Sequence, residues 1–458
     1  MYQTNSLKQK ITLFFIIFFP ILITQVSLNL MTFFDTVMSG QASAVDLAGV
    51  AIGSSLWVPV FTGINGVLLA ITPIIAHLLG AREKETISKK VQQAIYLSIG
   101  LAFIILLIGL FTLNPILNTM DLESDVRHIA KYYLITLSTG IIPLFIFNTL
   151  RCFMDSLGQT RTSMIIILIA LPINIFLNYI FIFGKFGFPT MGGIGAGIAT
   201  ALTYWIICVI AVVILMYVKP FRNYRVFSTW EKPKVSDWFE QLRIGIPIGF
   251  AIFFETSIFS AVTLLMSEYN TNTIAAHQAA MNFSALLYMI PLSVGMALTI
   301  TVGFEVGAKR MHDAKVYGYI GIAGGIFIAL FNGAILFLFN DFVASLYSSD
   351  PDVIALTVQF IGFAIIYQLA DAFGAPIQGA LRGYKDVNMT LVIALISYWV
   401  IGLPTGWILA NHTTLGPFGY WVGIIAGLSI GAIFLLIRLV LIQKKYSKVI
   451  IQQNSSAS

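Results

Sequence analysis

The chain has 458 residues, of which 58% are hydrophobic and only 10% charged, with a mean hydropathy of +0.89. That composition excludes a soluble multi-domain protein and defines a polytopic membrane protein. A net charge of +6 would suit a nucleic-acid partner, but the basic residues prove to be sorted by membrane sidedness instead.

Twelve apolar runs, each long enough to cross about 30 Å of hydrocarbon at about 1.5 Å per residue, follow one another along the chain. They extend over 11–38, 45–79, 92–113, 129–152, 163–184 and 191–218, then 243–267, 274–306, 316–340, 353–381, 389–410 and 418–442. The first follows Lys8 and Lys10, contains Asp35 and has no small-residue cleavage site. It therefore reads as a retained helix, not a signal peptide. Under twelve spans, 23 of the 26 Lys and Arg residues fall on the N-terminal side, and only Arg127, Lys131 and Lys185 lie opposite. The positive-inside rule then predicts a multi-pass protein of the cell (inner) membrane with both termini cytoplasmic, and nucleic acid drops out as a partner.

The one long polar stretch, residues 218–242, lies near the middle and divides the spans six and six. The expected domains are an N-terminal six-helix lobe, 1–217, a cytoplasmic linker, 218–242, and a C-terminal six-helix lobe with a short cytoplasmic tail, 243–458. A shift of 227 residues sets Pro20 on Pro247 and the GARE at 80 on the GAKR at 307. A slightly smaller shift brings GQTRTSM at 158 onto GYKDVNM at 383, and Gly192 and Gly195 near Gly416 and Gly419. Each half starts on the same side, so the repeat is parallel, about an axis along the membrane normal. The expected fold is an all-α integral membrane protein of twelve transmembrane helices in two pseudo-symmetric six-helix bundles enclosing a central cavity.

Within the spans, Gly423, Gly427 and Gly431 recur every four residues and predict a close helix contact. MGGIGAG at 191–197 opens an apolar span without a preceding strand, so it reads as helix packing and not as a dinucleotide loop. No GxxxxGK[ST] occurs, so no ATPase is expected and energy must come from an ion or substrate gradient. Cys152 and Cys208 have no metal-ligand spacing and read as buried small hydrophobes.

Three carboxylates stand inside apolar runs: Asp35, Glu255 and Asp371. A carboxylate at a helix centre costs roughly 2.5–3.5 kcal/mol on insertion scales, so such acids face a wet or ion-binding interior. Oxygen-bearing side chains accompany them, namely Asn174, Asn178, Thr200, Tyr367 and Gln278 with Asn282, and such donors suit hard cations and protons. Tyr367 and Asp371 share a helix face. Phe253, Phe254 and Phe259 flank Glu255, and Phe283 and Tyr288 follow in the next span, a lining suited to flat lipophilic cations. His277 is expected to be structural, and Glu305 to snorkel to the cytoplasmic border. An intramembrane aspartyl protease would need paired carboxylates, and its GxGD context is absent. Asp35, about 24 residues along its helix, lies toward the external end, apart from the other two acids.

The FFDTVMSG, PIIAHLLGARE, FFETSIF, AAHQAAMNFS and YQLADAFGAPIQGALRGYKD segments resemble the multidrug and toxic compound extrusion family, and its NorM-like branch in particular. The resemblance covers nearly the whole chain. It implies an efflux antiporter, not an enzyme, that expels small lipophilic organic cations across the lipid bilayer by alternating access. The implied coupling ion is Na⁺ or H⁺, with no other cofactor and no ATP, and the expected working unit is a monomer. It also implies cation binding at Glu255, Asp371 and Tyr367, where Na⁺ is possible, and at Asp35, Asn174, Asn178 and Thr200. Substrate contacts would come from Phe259, Gln278, Tyr288 and Asp350. A lipid-linked oligosaccharide flippase is the alternative within transport. Its anionic pyrophosphate needs basic partners, and no Lys or Arg is expected inside a span.

Overall fold

A computed structural model describes residues 1–120, 122–228, 230–348 and 350–456, side chains of 448–456 excepted. All its regular elements are helices: α1 (Leu7–Ala42), α2 (Ala44–Leu68), α3 (Ile71–Gly80), α4 (Lys84–Thr119), α5 (Ser124–Ser138), α6 (Ile141–Ser156), α7 (Thr160–Phe183) and α8 (Gly192–Tyr217) in the first half. In the second come α9 (Val235–Leu265), α10 (Thr271–Gly307), α11 (Met311–Leu338), α12 (Asn340–Ser345), α13 (Pro351–Gly383), α14 (Asn388–Ala394), α15 (Leu403–His412) and α16 (Phe418–Ser456). Among the described residues eleven helices are long and apolar enough to cross a membrane, and twelve when α5 and α6, bent by 52°, count as one crossing. The chain is a multi-pass membrane protein.

Where spans break, a proline explains the break. Pro73 has no N–H for the carbonyl of Leu69, and the chain turns between α2 and α3 with Thr72 N donating to Leu69 O at 3.0 Å instead. Pro143 likewise abandons the carbonyl of Thr139 at the α5–α6 bend, and the Trp205 indole N–H donates to it at 3.1 Å. Ahead of Pro404, residues Leu395–Gly402 between α14 and α15 are wound as a π-helix.

The chain divides into two compact units, one of Met1 with Ile23–Gly249 and the other of Tyr2–Leu22 with Phe250–Ser458. This partition differs from boundaries at 217 and 243 in two places, each for a local reason. Residues 2–22 belong with the second half because Lys10 Nζ pairs with Asp313 at 3.0 Å and the hydroxyls of Thr4 and Tyr317 meet at 3.1 Å, all buried or half-buried. The central stretch is bound to the first half by two amide clamps on α4. Gln92 Nε2 donates to Val226 O at 2.7 Å and its Oε1 accepts from Glu231 N, while Gln93 Nε2 donates to Lys232 O and its Oε1 accepts from Lys234 N at 2.8 Å. Phe221 and Val226 are buried in the same core as Phe147, Phe153 and Ile166.

The repeat is visible in the backbone. Arg82 and Lys309, at the 227-residue shift, both adopt left-handed conformations, φ 64° and 58°. Each follows a helix end closed by the same pair of bonds, Glu83 N to Leu78 O and Arg310 N to Glu305 O, both 2.9 Å. The same shift, and not the smaller one, superposes the α6–α7 and α13–α14 turns, since Gly158 (φ 75°) matches Lys385 (φ 59°) and Gln159 N to Met154 O matches Asp386 N to Leu381 O. At α8 and α16 the register is shorter by three residues than at the turns, since Gly192 and Gly416 share φ 53°. The glycine stripe of α16 forms the expected close contact. A Cβ on Gly423 would stand 2.4 Å from Gly406 Cα, and one on Gly427 2.7 Å from Ser397 O. Cys152 and Cys208 are free and buried.

Candidate functional site

In the first unit, α1, α7 and α8 deliver a buried polar cluster. Asp35 on α1 lies opposite Asn174 and Asn178, one turn apart on α7, and Thr200 on α8, all four buried. Asn178 Nδ2 donates to Asp35 Oδ1 at 2.5 Å and to Asn174 Oδ1 at 3.2 Å. The Thr200 hydroxyl donates to Asp35 Oδ2 at 2.9 Å and accepts from Asn174 Nδ2 at 3.4 Å. With both bonds of its Nδ2 made to acceptors, Asn178 presents an Oδ1 that is buried and has no hydrogen-bond partner. An orphaned oxygen beside a carboxylate fits a small cation or a bound proton donor.

In the second unit, α10 and α13 are brought backbone to backbone, where a Cβ on Gly379 would lie 2.1 Å from Gly295 O. Thr299 closes the crossing by donating to both Gly295 O and Gly379 O at 3.0 Å. This seam positions Glu255 of α9, Tyr288 of α10 and Tyr367, Asp371 and Gln378 of α13. Glu255 is buried, its Oε1 accepting from the Tyr288 hydroxyl and its Oε2 from Gln378 Nε2, both at 3.4 Å. Asp371 is 2% exposed, and its Oδ2 has no hydrogen-bond partner. Tyr367 is buried with its ring edge-on to Phe259 at 5.6 Å.

Of the other expected contacts, Gln278 is exposed on α10, as is Asn282 one turn further on. Asp350 is exposed and caps α13, accepting from Asp352 N at 2.9 Å, about 30 Å of helix from Asp371 at 1.5 Å per residue. His277 is fully buried, its Nδ1 accepting from the Trp421 indole and its Nε2 bonded to the Thr263 hydroxyl, both at 3.1 Å. The indole can only donate, so Nδ1 is the acceptor nitrogen and the ring is a structural pin. Glu305 does not snorkel, being 1% exposed and ion-paired with Arg310.

Basic residues do occur buried in the helices that carry the spans: Arg382 near the end of α13, Arg151 on α6 and Lys10 near the start of α1, all at or below 8% exposure. Arg382 donates to Gln378 Oε1 at 3.3 Å. Gln378 and Arg382 lie 7 and 11 residues beyond Asp371, on its own helix face, so the period of an α-helix could have found them. Loop assignment of Arg382 hid the signal. In the first unit a comparable stripe, Asn148, Arg151 and Asp155, is buried on α6, with Ser163 donating to Asp155.

The MatE family model matches the chain twice, over residues 20–180 and 247–408. A probable multidrug resistance protein NorM of Oceanobacillus iheyensis is 72% identical over 445 residues, covering 97% of this chain and all of that one. The corresponding protein of Bacillus subtilis is 55% identical over 98% of this chain and 99% of its own length. Among solved structures, the eukaryotic MATE transporter AtDTX14 aligns at TM-score 0.87 with 21% identity, over 97% of this chain and 99% of that chain. A MATE protein in its straight conformation aligns at 0.88 with 19% identity, over 98% and 100%. Fold and site together define a multi-pass helical membrane transporter. The chain belongs to the MatE family, and the two family matches are its two sequence repeats.

Proposed function

We propose that this transporter exports lipophilic organic cations in exchange for Na⁺ or H⁺ by alternating access. The observation that carries the reading is the pair of buried acids, Asp35 and Asp371, each in its own unit and each accompanied by an orphaned buried oxygen, Asn178 Oδ1 or Asp371 Oδ2. A buried oxygen left unpartnered is destabilising by about 1–3 kcal/mol until a cation, a proton or a water meets it. Such an ion binds where a drug cation would also be attracted, so occupancy by one weakens the other. Glu255, Asp371 and Tyr367 would hold the exchanging ion of the second unit, and Asp35, Asn174, Asn178 and Thr200 that of the first. Phe259 and Tyr288 would face the drug. The names of the relatives, multidrug resistance proteins, support an exporter. In this reading the termini are cytoplasmic and the working unit is a monomer.

A lipid-linked oligosaccharide flippase is the weaker reading, because the guanidinium it would need at this cluster, Arg382, is already engaged by Gln378. Ethidium efflux from proteoliposomes, with Na⁺ and pH gradients imposed separately, tests the proposal. Wild-type protein should expel dye under at least one gradient, and Asp371→Asn and Glu255→Gln should each abolish it at normal expression. Wild-type efflux by both variants would overturn the proposal.

A further inference from the structure

The two acids of the second unit are not equivalent in their surroundings. Glu255 accepts two hydrogen bonds, and behind one of them stands a buried positive charge. Gln378 connects the two, its Oε1 accepting from Arg382 at 3.3 Å and its Nε2 donating to Glu255 at 3.4 Å. That orientation of the amide is dictated by its neighbours. A guanidinium only donates, so the atom facing it must be oxygen, and the atom left for the carboxylate is then the nitrogen. Flipping the amide would oppose two like dipoles at once. Asp371, by contrast, keeps an oxygen with no partner.

We propose that Arg382 is the resident counter-charge of Glu255, transmitted through Gln378, and that the pocket therefore exchanges a single monovalent cation on Asp371. With both acids ionised, the two carboxylates and one guanidinium leave one negative charge. One Na⁺ or one proton neutralises it, and so does one monovalent drug. Arg382 touches neither ion nor drug, and acts as a positioning residue. A charge this deeply buried needs its partner, since removing one member of such a pair strands the other. Without Arg382, Glu255 becomes a second unbalanced anion. The pocket should then hold its cation more tightly, take up a second, and release both slowly. The titratable groups facing this carboxylate are Tyr288 of α10, Tyr398 of the π-helical stretch, and Asp371 and Tyr367 of α13.

The inference rests on the antiport reading, and two measurements separate their fates. The first is ethidium efflux by the reconstituted full chain as external Na⁺, and separately external H⁺, is varied. Arg382→Gln should lower the half-saturating cation concentration roughly tenfold, the scale of one charge-assisted hydrogen bond. It should also steepen the dependence and reduce the maximal rate. Arg382→Lys, which restores charge and donor, should return half-saturation to the wild-type value. A helix-end arginine with a merely structural role would alter the maximal rate alone, and that result would overturn the proposal. Should Arg382→Gln not reach the membrane, Gln378→Leu severs the connection with both charges kept. It should shift half-saturation in the same direction, and no shift would count equally against the idea. The second measurement is the Tm of detergent-solubilised protein without substrate. Arg382→Gln should lower Tm at least about twice as far in the wild-type background as in Glu255→Gln. Equal losses would sink the charge coupling whether or not the protein transports. If wild-type protein shows no gradient-driven efflux while this cycle holds, only the antiport reading falls.

Discussion

At the level of single residues, the polar clusters make distinguishable demands. Thr200→Val removes the donor to Asp35 Oδ2 and turns an apolar γ-methyl toward a buried carboxylate. We expect a loss of about 1–3 kcal/mol, read as a lower Tm, and weakened export. Gly379→Ala acts through shape alone, pressing a methyl into the Gly295 carbonyl. Overpacking of this kind costs about 1–3 kcal/mol and would displace α13, carrying Asp371 with it. Asp350 offers a cleaner separation, because its observed task is the α13 cap. Asp350→Asn retains a capping side chain, so efflux and Tm should stay at wild-type levels. Loss of efflux with unchanged Tm would instead mark Asp350 as a substrate contact. Asp35, Asn174, Asn178 and Thr200 could be gathered from sequence because isolated polar residues in apolar helices must find one another. Gln378 and Arg382 lie on the helix face of Asp371 and were legible by the same period, but the arginine sits where a span's end and a cytoplasmic loop have the same composition, which masks it.

Among the elements, the helices are the most legible part of the chain, and their ends the least. Each apolar run became helical, three of them with a break or a π-helical stretch, but α4 extends from Lys84 where the apolar pattern begins at 92, because charged residues propagate a helix well beyond the hydrocarbon. The bends at Leu69 and Thr139 follow from prolines, though which kinks become breaks depends on a rescuing donor such as Trp205, supplied by tertiary structure. Gly423→Leu should separate α16 from α15 and depress both Tm and the amount of folded protein, whereas Gly324→Leu, on a glycine with open space around it, should be tolerated. Outside the membrane, Glu231 bonds Lys89 at 2.8 Å and Lys234 at 3.0 Å, and the Lys89 bond chiefly holds its carboxyl below the usual range. A lowered acid stabilises the docked stretch at neutral pH and ceases to as pH falls below 4.5 and through its own lowered value. Because both lysines are exposed and Glu231 is only half-buried, hydrogen exchange at residues 231–234 should rise only modestly in acid, with the Gln92 and Gln93 clamps persisting.

Over the whole molecule, the duplication was readable as a weak collinear identity with a 227-residue shift, yet the reach of that shift to the α6–α7 and α13–α14 turns was not. Identical turn geometry at Gly158 and Lys385 carries the register, and no side-chain similarity marks it. With that register Arg382 falls on Asp155 and Gln378 on Arg151, so α6 and α13 carry opposite charges at one equivalent point and a charge against a neutral amide at the other. The halves thus share a fold and differ in electrostatics at these points, so the ion sites proposed in the two units are not interchangeable. Asp35→Asn and Asp371→Asn should therefore differ in kind under separately imposed Na⁺ and pH gradients. Asp371→Asn should abolish coupling, while Asp35→Asn should change the rate and leave the half-saturating cation concentration of the second unit unaltered. Identical half-saturation shifts in both variants would contradict this division.

The docking of the central stretch on α4 bears on any attempt to express the transporter as two polypeptides. A gene cut at codon 218, where the sequence invites it, would give the clamped segment to the wrong fragment and leave Gln92 and Gln93 with four empty bonding positions. A cut just before α9 would keep those bonds, but it would part the first half from the opening turns of that helix, up to Gly249, which belong to the first unit. Complementation should succeed best when the first fragment runs through residue 249 and the second carries its own copy of residues 2–22.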